Sequence, residues 1–368
     1  MILLKNGKII ENNQLVKKDI LIVDDVIAEI EDEINKENAE VIDCTDLLVM
    51  PGLVDVHVHF REPGYEYKET IKTGTLGAAK GGVTTCMPMP NLKPSPDNRE
   101  NVLKELEIIK KDAIVNCYPY GSITVGEQGK EPSKLEEFYD LVHAISDDGM
   151  GNHNLAILED QMRLAKKIGC KYHFCHLSTR KSIELVRKAK AEGYTNITCE
   201  IAPHHLVLNK TLVNLNTNYK MNPPLRAEDD RLACVEALLD GTCDCIATDH
   251  APHSEAEKAL EFLNAPNGII GIETMLPLIY TEFVMPGLIS YERMLELMVY
   301  NPIKIFELPK RDLKPGMIAD VIAVDTNHSH VYSYSEIQSL SKNSPFIGRT
   351  LYGFNTLTIV NGKVVYKK

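Results

Sequence analysis

His57 and His59, in the run Asp55-Val-His-Val-His-Phe-Arg-Glu-Pro-Gly64, stand two residues apart in what reads as a short buried strand over 53–60. Side chains at that spacing leave a strand on the same face, so the two imidazoles can grip one ion. Half a chain later, Ala247-Thr-Asp-His-Ala-Pro-His253 places Asp249 at the end of another strand-like run, 243–248. Two neutral imidazoles and a carboxylate, with one position left to water, have the composition of a catalytic zinc site; a structural site is closed by four ligands, usually rich in cysteine. An isolated His-x-His is more often an accident of a core strand. Here further polar residues end other apolar runs: Asn91, Asp147 and Asp148, His176, and His204 with His205. Such groups are costly to desolvate unless they share a partner. The C-terminal rim of a (β/α)8 barrel is where they would converge. The pairing points to metal-dependent hydrolysis.

The elements that must carry these residues alternate along the chain. Strand-like runs begin near residues 54, 84, 114, 144, 171, 196 and 243, and segments of helical periodicity lie at 98–111, 132–142, 180–192 and 227–239. That alternation predicts a parallel α/β sheet, here a (β/α)8-type TIM barrel over 51–314. Seven runs are visible rather than eight, so the expected barrel is distorted or lacks one strand. Residues 155–158 are a short apolar stretch that could serve as the missing stave, followed by a helical reading over 159–168. A barrel left open exposes unpaired backbone groups and must be covered. Residues 1–50 and 315–368 read as short strands joined by turns such as Lys5-Asn-Gly and Asn361-Gly. The two ends are expected to pair into one small β-sandwich.

The 368 residues carry a formal charge of −12, which argues against a nucleic-acid surface and against adhesion to an anionic membrane. With 44% hydrophobic and 25% charged residues the composition is that of an ordinary globular protein. No stretch approaches a spanning helix and the N-terminus lacks a signal-peptide core, so a cytoplasmic location is expected. Nine cysteines, mostly within apolar runs, read as buried free thiols in a reducing compartment.

On the segments Pro51 to Gly64, Met89-Pro-Asn91, Ser146-Asp-Asp-Gly149, Cys175-His-Leu-Ser-Thr179, Ala202-Pro-His-His205, Lys220-Met-Asn-Pro-Pro-Leu-Arg226 and Ala247 to His253, the chain resembles the dihydroorotases of the amidohydrolase superfamily over nearly its whole length. His-x-His and the late Asp identify only the superfamily; Phe-Arg-Glu-Pro and Asn-Pro-Pro-Leu-Arg narrow it. The resemblance implies zinc, one ion or two, ligated by His57, His59 and Asp249, with Asp148 bridging toward a second metal served by His176. It makes Asp249 the proton carrier. Arg61, Asn91 and His253 would hold the substrate carboxylate, His59 would lie beside the substrate, and Asn222, Asn267 and Gly268 would contact the ring. His204 and His205 match family positions without a ligand role and read as packing at a strand end.

One departure stands out. The family carries a further strand ending in His-Cys-Glu-Asp between Ser-Asp-Asp-Gly and Cys-His-Leu-Ser-Thr, whereas here only the 26 residues Met150 to Cys175 separate Gly149 from His176. Either Ile157 stands where that histidine belongs or the block is gone, and His153 reads as a solvated loop residue. The reaction implied is the reversible hydrolysis of (S)-dihydroorotate to N-carbamoyl-L-aspartate in pyrimidine biosynthesis. Two other readings stay open: another cyclic amidohydrolase of dihydropyrimidinase or allantoinase type, or an inactive homologue supporting aspartate carbamoyltransferase. Association with copies of itself is compatible with each.

Overall fold

The computed structural model describes residues 1–149, 167 and 170–368. The expected stave 155–158, the helix 159–168 apart from residue 167, and His153 lie outside the described residues. The two ends of the chain join in one eight-stranded sheet. Strands Ile2–Glu11, Gln14–Val23, Val26–Glu31, Glu40–Asp43 and Leu48–Pro51 from the N-terminal part meet Val321–Asp325, Phe354–Val360 and Lys363–Lys367, through antiparallel pairing of Leu48–Pro51 with Val321–Asp325. Leu4, Ile20, Ile22, Ile27, Val49, Val321, Leu357 and Ile359 form its apolar core. The Asn361-Gly362 turn forms as expected, with φ of 49° and 73°, the pair of positive values that a two-residue hairpin needs.

Lys5-Asn-Gly does not turn. Ile2–Glu11 runs straight through it with a bulge between Leu4 and Gly7. Asn6 takes the positive φ (63°), and the buried Asp19 carboxylate accepts from both Asn6 N, at 2.8 Å, and Lys5 Nζ, at 2.5 Å. The bulge also sets Gly7 so close to Val49 that a Cβ would lie 2.6 Å from its Cγ2.

Each of the seven expected inner runs contains strand, and parallel pairing links them in one path. Ile145–Ser146 pairs with Gly121–Ser122, which continues from Asn116–Cys117; that arm lies on Val83–Pro88, and Val83–Pro88 on Leu53–Val58. Tyr118 N and Tyr120 N carry the pairing across, donating to Cys86 and Pro88 carbonyls at 3.0 and 2.9 Å. On the other side Val58 bridges to His250, just beyond Cys245–Ile246, which pairs with Ile197–Ile201 and then Tyr172–Phe174. Among the described residues no backbone pairing joins Ile145–Ser146 to Tyr172–Phe174. All six residues of Leu53–Val58 are buried, as expected of a strand covered on both faces.

Helices Ile71–Gly81, Arg99–Asp112, Arg180–Ala191 and Glu228–Asp240 alternate with these strands, the first three capped by Thr70, Asn98 and Thr179 side chains. The helix expected over 132–142 is absent; the segment holds only a 3-10 turn, Leu135–Glu137. It buries one large side chain, Phe138, against Gly121, where a Cβ would sit 2.4 Å from the ring, and Ser133 bonds back to Ser122 O at 2.6 Å. A single anchored ring and a tethered start replace the apolar stripe that a helix would need. No helix among the described residues is long and apolar enough to cross a membrane.

Inner strands and outer sheet are tied by a buried ion pair. Arg311 Nε meets Asp320 Oδ2 at 2.5 Å, the same oxygen accepts from Asn116 Nδ2 at 2.8 Å, and Asp320 Oδ1 accepts Asn361 N at 2.7 Å. Removing one partner of a buried pair strands the other, at a cost of about 3–5 kcal/mol. Asp320→Ala should therefore lose stability on that scale in chemical denaturation; a loss below about 1 kcal/mol would show that Arg311 finds another partner.

Candidate metal centre and substrate pocket

Strand alternation delivers His57 and His59 as expected, with ring centroids 5.3 Å apart. His59 N donates to His250 O at 2.8 Å, which fixes the strand end against the segment carrying Asp249. Asp55, on the same face of the strand, accepts from Thr248 N at 3.0 Å and His57 N at 3.3 Å and locks the two segments together from below. Burial pushes the Asp55 carboxyl up to about 6 against those hydrogen bonds.

Two carboxylates and three imidazoles then converge. Asp249 Oδ1 lies 3.1 Å from His59 Nε2 and 3.6 Å from His57 Nε2. Asp148 Oδ2 lies 3.3 Å from His57 Nε2 and 3.4 Å from His59 Nε2, while its Oδ1 lies 3.2 Å from His176 Nε2. Two ligand groups result, His57 with His59 and Asp249, and His57 with Asp148 and His176. His57 Nε2 is buried and makes no hydrogen bond despite these neighbours. That unpartnered nitrogen, in a set of imidazoles and carboxylates, fits a divalent transition metal.

The other His57 nitrogen is held from beneath by a residue that the sequence reading passed over. Nδ1 meets Glu200 Oε1 at 2.6 Å, and Glu200 Oε2 meets His173 Nε2 at 3.1 Å. Glu200 also accepts His176 N at 3.2 Å, so one carboxylate sets two of the three imidazoles. Burial opposes the charge on Glu200, but His57 and His173 hold its carboxyl below the usual range. Likewise burial opposes protonation of His57, and Asp148 and Glu200 outweigh it, lifting the imidazole well above its ordinary value. A signal was present: Glu200 is a carboxylate inside the apolar run Ile197-Thr-Cys-Glu-Ile.

Beside the convergence lies a cavity of about 270 Å³ that brings together His59, Arg61, Asn91, Asp148, His176, Asn222, Asp249, His253, Asn267 and Gly268. His57 is shut away behind it. Arg61, His176 and Asp249 adopt φ of 63°, 33° and 49°, strained values that persist where surrounding structure imposes them. The Arg61 guanidinium is buried with its Nε unpartnered, and burial lowers its affinity for the proton. Asn91 Oδ1 accepts from His59 Nδ1 at 2.8 Å, which leaves Nε2 of that ring for the convergence. His253 Nε2 donates to Asn267 O at 2.8 Å, and burial with Arg61 and Lys68 nearby pushes this imidazole down to about 3, so it is neutral. Lys258, also unforeseen, ties the far wall by donating to the Gly268 and Pro266 carbonyls at 2.9 and 3.1 Å.

Other flagged residues fall elsewhere. Asp147 turns away from the cavity and accepts from Ile123 N, Thr124 N and Thr124 Oγ1 at 2.6–3.0 Å. His205 donates through Nε2 to Pro223 O at 3.1 Å, and neither His204 nor His205 falls in either ligand group, in keeping with packing at a strand end.

Comparison with known proteins decides the ancestry. The Dihydro-orotase-like family profile matches residues 46–165. The dihydroorotase of Bacillus thuringiensis (strain Al Hakam) is 39% identical over 421 positions, covering 100% of this chain and 98% of its own; that of Bacillus cytotoxicus aligns with the same identity and coverage. The chain belongs to the dihydroorotase family. Among solved structures, the L-hydantoinase (dihydropyrimidinase) of Arthrobacter aurescens superposes with a TM-score of 0.86 at 25% identity, covering 100% of this chain and 96% of that one. The dihydropyrimidinase of Brevibacillus agri shares the fold at a TM-score of 0.85 and 19% identity, covering 100% and 95%. The chain thus has the mixed α/β fold of these amidohydrolases. Against the Bacillus relatives it is shorter within the aligned span, 421 positions being matched by 368 residues.

For this member of the dihydroorotase family, Glu200→Gln keeps the shape but removes the charge that fixes His57. Its metal affinity should drop about 10–100-fold in chelator competition; an unchanged affinity would release Glu200 from that role. His205 is held down to about 4, mainly by burial, against an ordinary 6.5. Between those values the unfolded chain binds a proton that the folded one refuses, so this histidine's contribution to stability is present above 6.5 and is lost as pH falls toward 4. His205→Gln should accordingly gain on the parent as pH falls through that window, in paired thermal melts of metal-free protein; a constant difference between the two would contradict it.

Proposed function

We propose that the chain catalyses the reversible hydrolysis of the cyclic amide of (S)-dihydroorotate to N-carbamoyl-L-aspartate, as a metal-dependent dihydroorotase of pyrimidine biosynthesis in the cytoplasm. The observation that carries this reading is the joint placement, in one cavity, of the His59, Asp148 and Asp249 convergence with a buried, partly unpartnered Arg61. A hydantoin or dihydropyrimidine ring, as acted on by the solved neighbours, has no carboxylate for that guanidinium; dihydroorotate has one. In this reading residues 51–314 form a (β/α)8-type barrel, distorted between Ile145–Ser146 and Tyr172–Phe174, and residues 1–50 with 315–368 form a separate β domain.

His57, His59 and Asp249 would hold a zinc ion, with Asp148 reaching toward a second that His176 serves. Bound there, a divalent metal supplies Lewis acidity and acidifies a water to a pKa near about 7. Asp249, through the oxygen not engaged with His59, takes a proton from the attacking water and delivers it to the amide nitrogen as the ring C–N bond breaks. Arg61 grips the substrate carboxylate with its planar fork, which can make two parallel charge-assisted hydrogen bonds. Asn91 holds His59 through Oδ1 and turns its amide NH2 to the carboxylate, while His253, whose Nδ1 faces Lys68 Nζ at 3.4 Å, lines the same end. Asn222, Asn267 and Gly268 fit the ring edge. Aspartate carbamoyltransferase is the partner that would cover the distorted side of the barrel.

Elemental analysis should find at least one equivalent of zinc; a tenth of an equivalent or less, unchanged after reconstitution, would refute the metal assignment. Asp249→Asn should reduce dihydroorotate turnover at least about 100-fold with the fold retained; more than a tenth of parental rate would remove Asp249 from the mechanism. Arg61→Lys keeps the charge and loses the fork, so KM should rise about tenfold. An unchanged KM would show that the carboxylate binds elsewhere.

A further inference from the structure

Asn343 belongs to the segment 338–344, far along the chain from every residue of the metal centre, yet it is 4% exposed and its amide is fully used by the cavity wall. Its Oδ1 accepts His253 N at 3.2 Å, and its Nδ2 donates to Ala251 O at 3.2 Å and Gly268 O at 3.1 Å. Its own carbonyl accepts Ile270 N at 3.0 Å. The two carbonyl oxygens converge on one NH2 group, which bridges the Ala251 and Gly268 walls; Gly268 O also accepts Lys258 Nζ at 2.9 Å, which does not reach across to Ala251 O. How close the walls come is plain at Gly268, whose φ is 140° and where a Cβ would sit 2.7 Å from Ala251 O and 2.9 Å from His253 Cδ2. The rest of the segment is tied down nearby: Leu340 N donates to Glu69 Oε1 at 3.0 Å and Ser341 Oγ to Lys68 O at 2.6 Å. None of these bonds reaches His57, His59, Asp148, His176 or Asp249.

We propose that Asn343 is a positioning residue for substrate, holding His253 against Asn267-Gly268 so that this wall of the cavity has a fixed position. The inference rests on reading the cavity as the dihydroorotate site. A buried amide that clamps two walls should set how well substrate binds and leave the reacting groups as they are, so its loss should fall on KM rather than kcat.

The test compares Asn343→Leu, which keeps the bulk without hydrogen bonds, and Asn343→Asp, which keeps the acceptor and turns an oxygen on the two carbonyls. The control is Asn355→Leu, which removes another buried amide whose bonds run to the Ala79 and Lys80 carbonyls away from the cavity. Both Asn343 variants should raise KM for dihydroorotate about tenfold or more, with kcat within about twofold and zinc content unchanged. Asn355→Leu should lower the melting temperature comparably and leave KM alone. Hydrogen exchange should quicken at the amides of 250–253 and 267–270 in the Asn343 variants before it does elsewhere. An unchanged KM, or a rise shared equally by Asn355→Leu, would overturn the proposal. Should the parent protein fail to turn over dihydroorotate, the functional reading falls separately, and the exchange pattern decides for the clamp: local quickening supports it and uniform quickening refutes it.

Discussion

Asp148 and Asp249 place carboxylate oxygens 3.3 and 3.6 Å from the same buried imidazole nitrogen, and two negative groups so near one another in a dry site repel unless positive charge lies between them. Most of what surrounds them answers that constraint. His57 and His176 hold the Asp148 carboxyl well below its usual range although burial works the other way. Glu200 supplies the counter-charge on the far side of His57, so the strip from His173 through Glu200 to His57 alternates acid and base. The arrangement suits a divalent cation, which would replace protons on the imidazoles and satisfy both carboxylates at once.

The constraint reaches the backbone as well. Arg61, His176 and Asp249 each lie just beyond a strand end, and each takes a positive φ. The two strands with no described pairing between them, Ile145–Ser146 and Tyr172–Phe174, are followed by Asp148 and His176, whose side chains meet at 3.2 Å. Side-chain contact thus spans the place where, among the described residues, no backbone pairing is made.

What could be read beforehand was local. The spacing of His57 and His59, the strand starts, and the Asn361-Gly362 turn depend on neighbours within a few residues, and the structure has them. Glu200 and Asn343 escaped because their meaning lies in partners 143 and 92 residues away, His57 and Ala251; nothing in either local run says which face is turned to what. Lys5-Asn-Gly misled for the same reason. Asn-Gly favours a turn in isolation, but Asp19 and Val49 arrive from other strands and convert it to a bulge. The segment 132–142 has helical spacing, yet one ring seated against Gly121 outweighs the weak periodicity.

The clamp at Asn343 has a bearing on the order in which the molecule becomes whole. A chain made from its N-terminus has His57 and His59 early, Asp249 about two-thirds of the way along, and the residue that closes the cavity wall only after some ninety more. The strands Phe354–Val360 and Lys363–Lys367, which flank the sheet begun by Ile2–Glu11, come later still. Contacts this distant along the chain form slowly, because long loops must close before they are rewarded. The candidate metal-binding groups should consequently be gathered, with the pocket still slack, during an interval in biosynthesis before the nascent protein can hold its substrate.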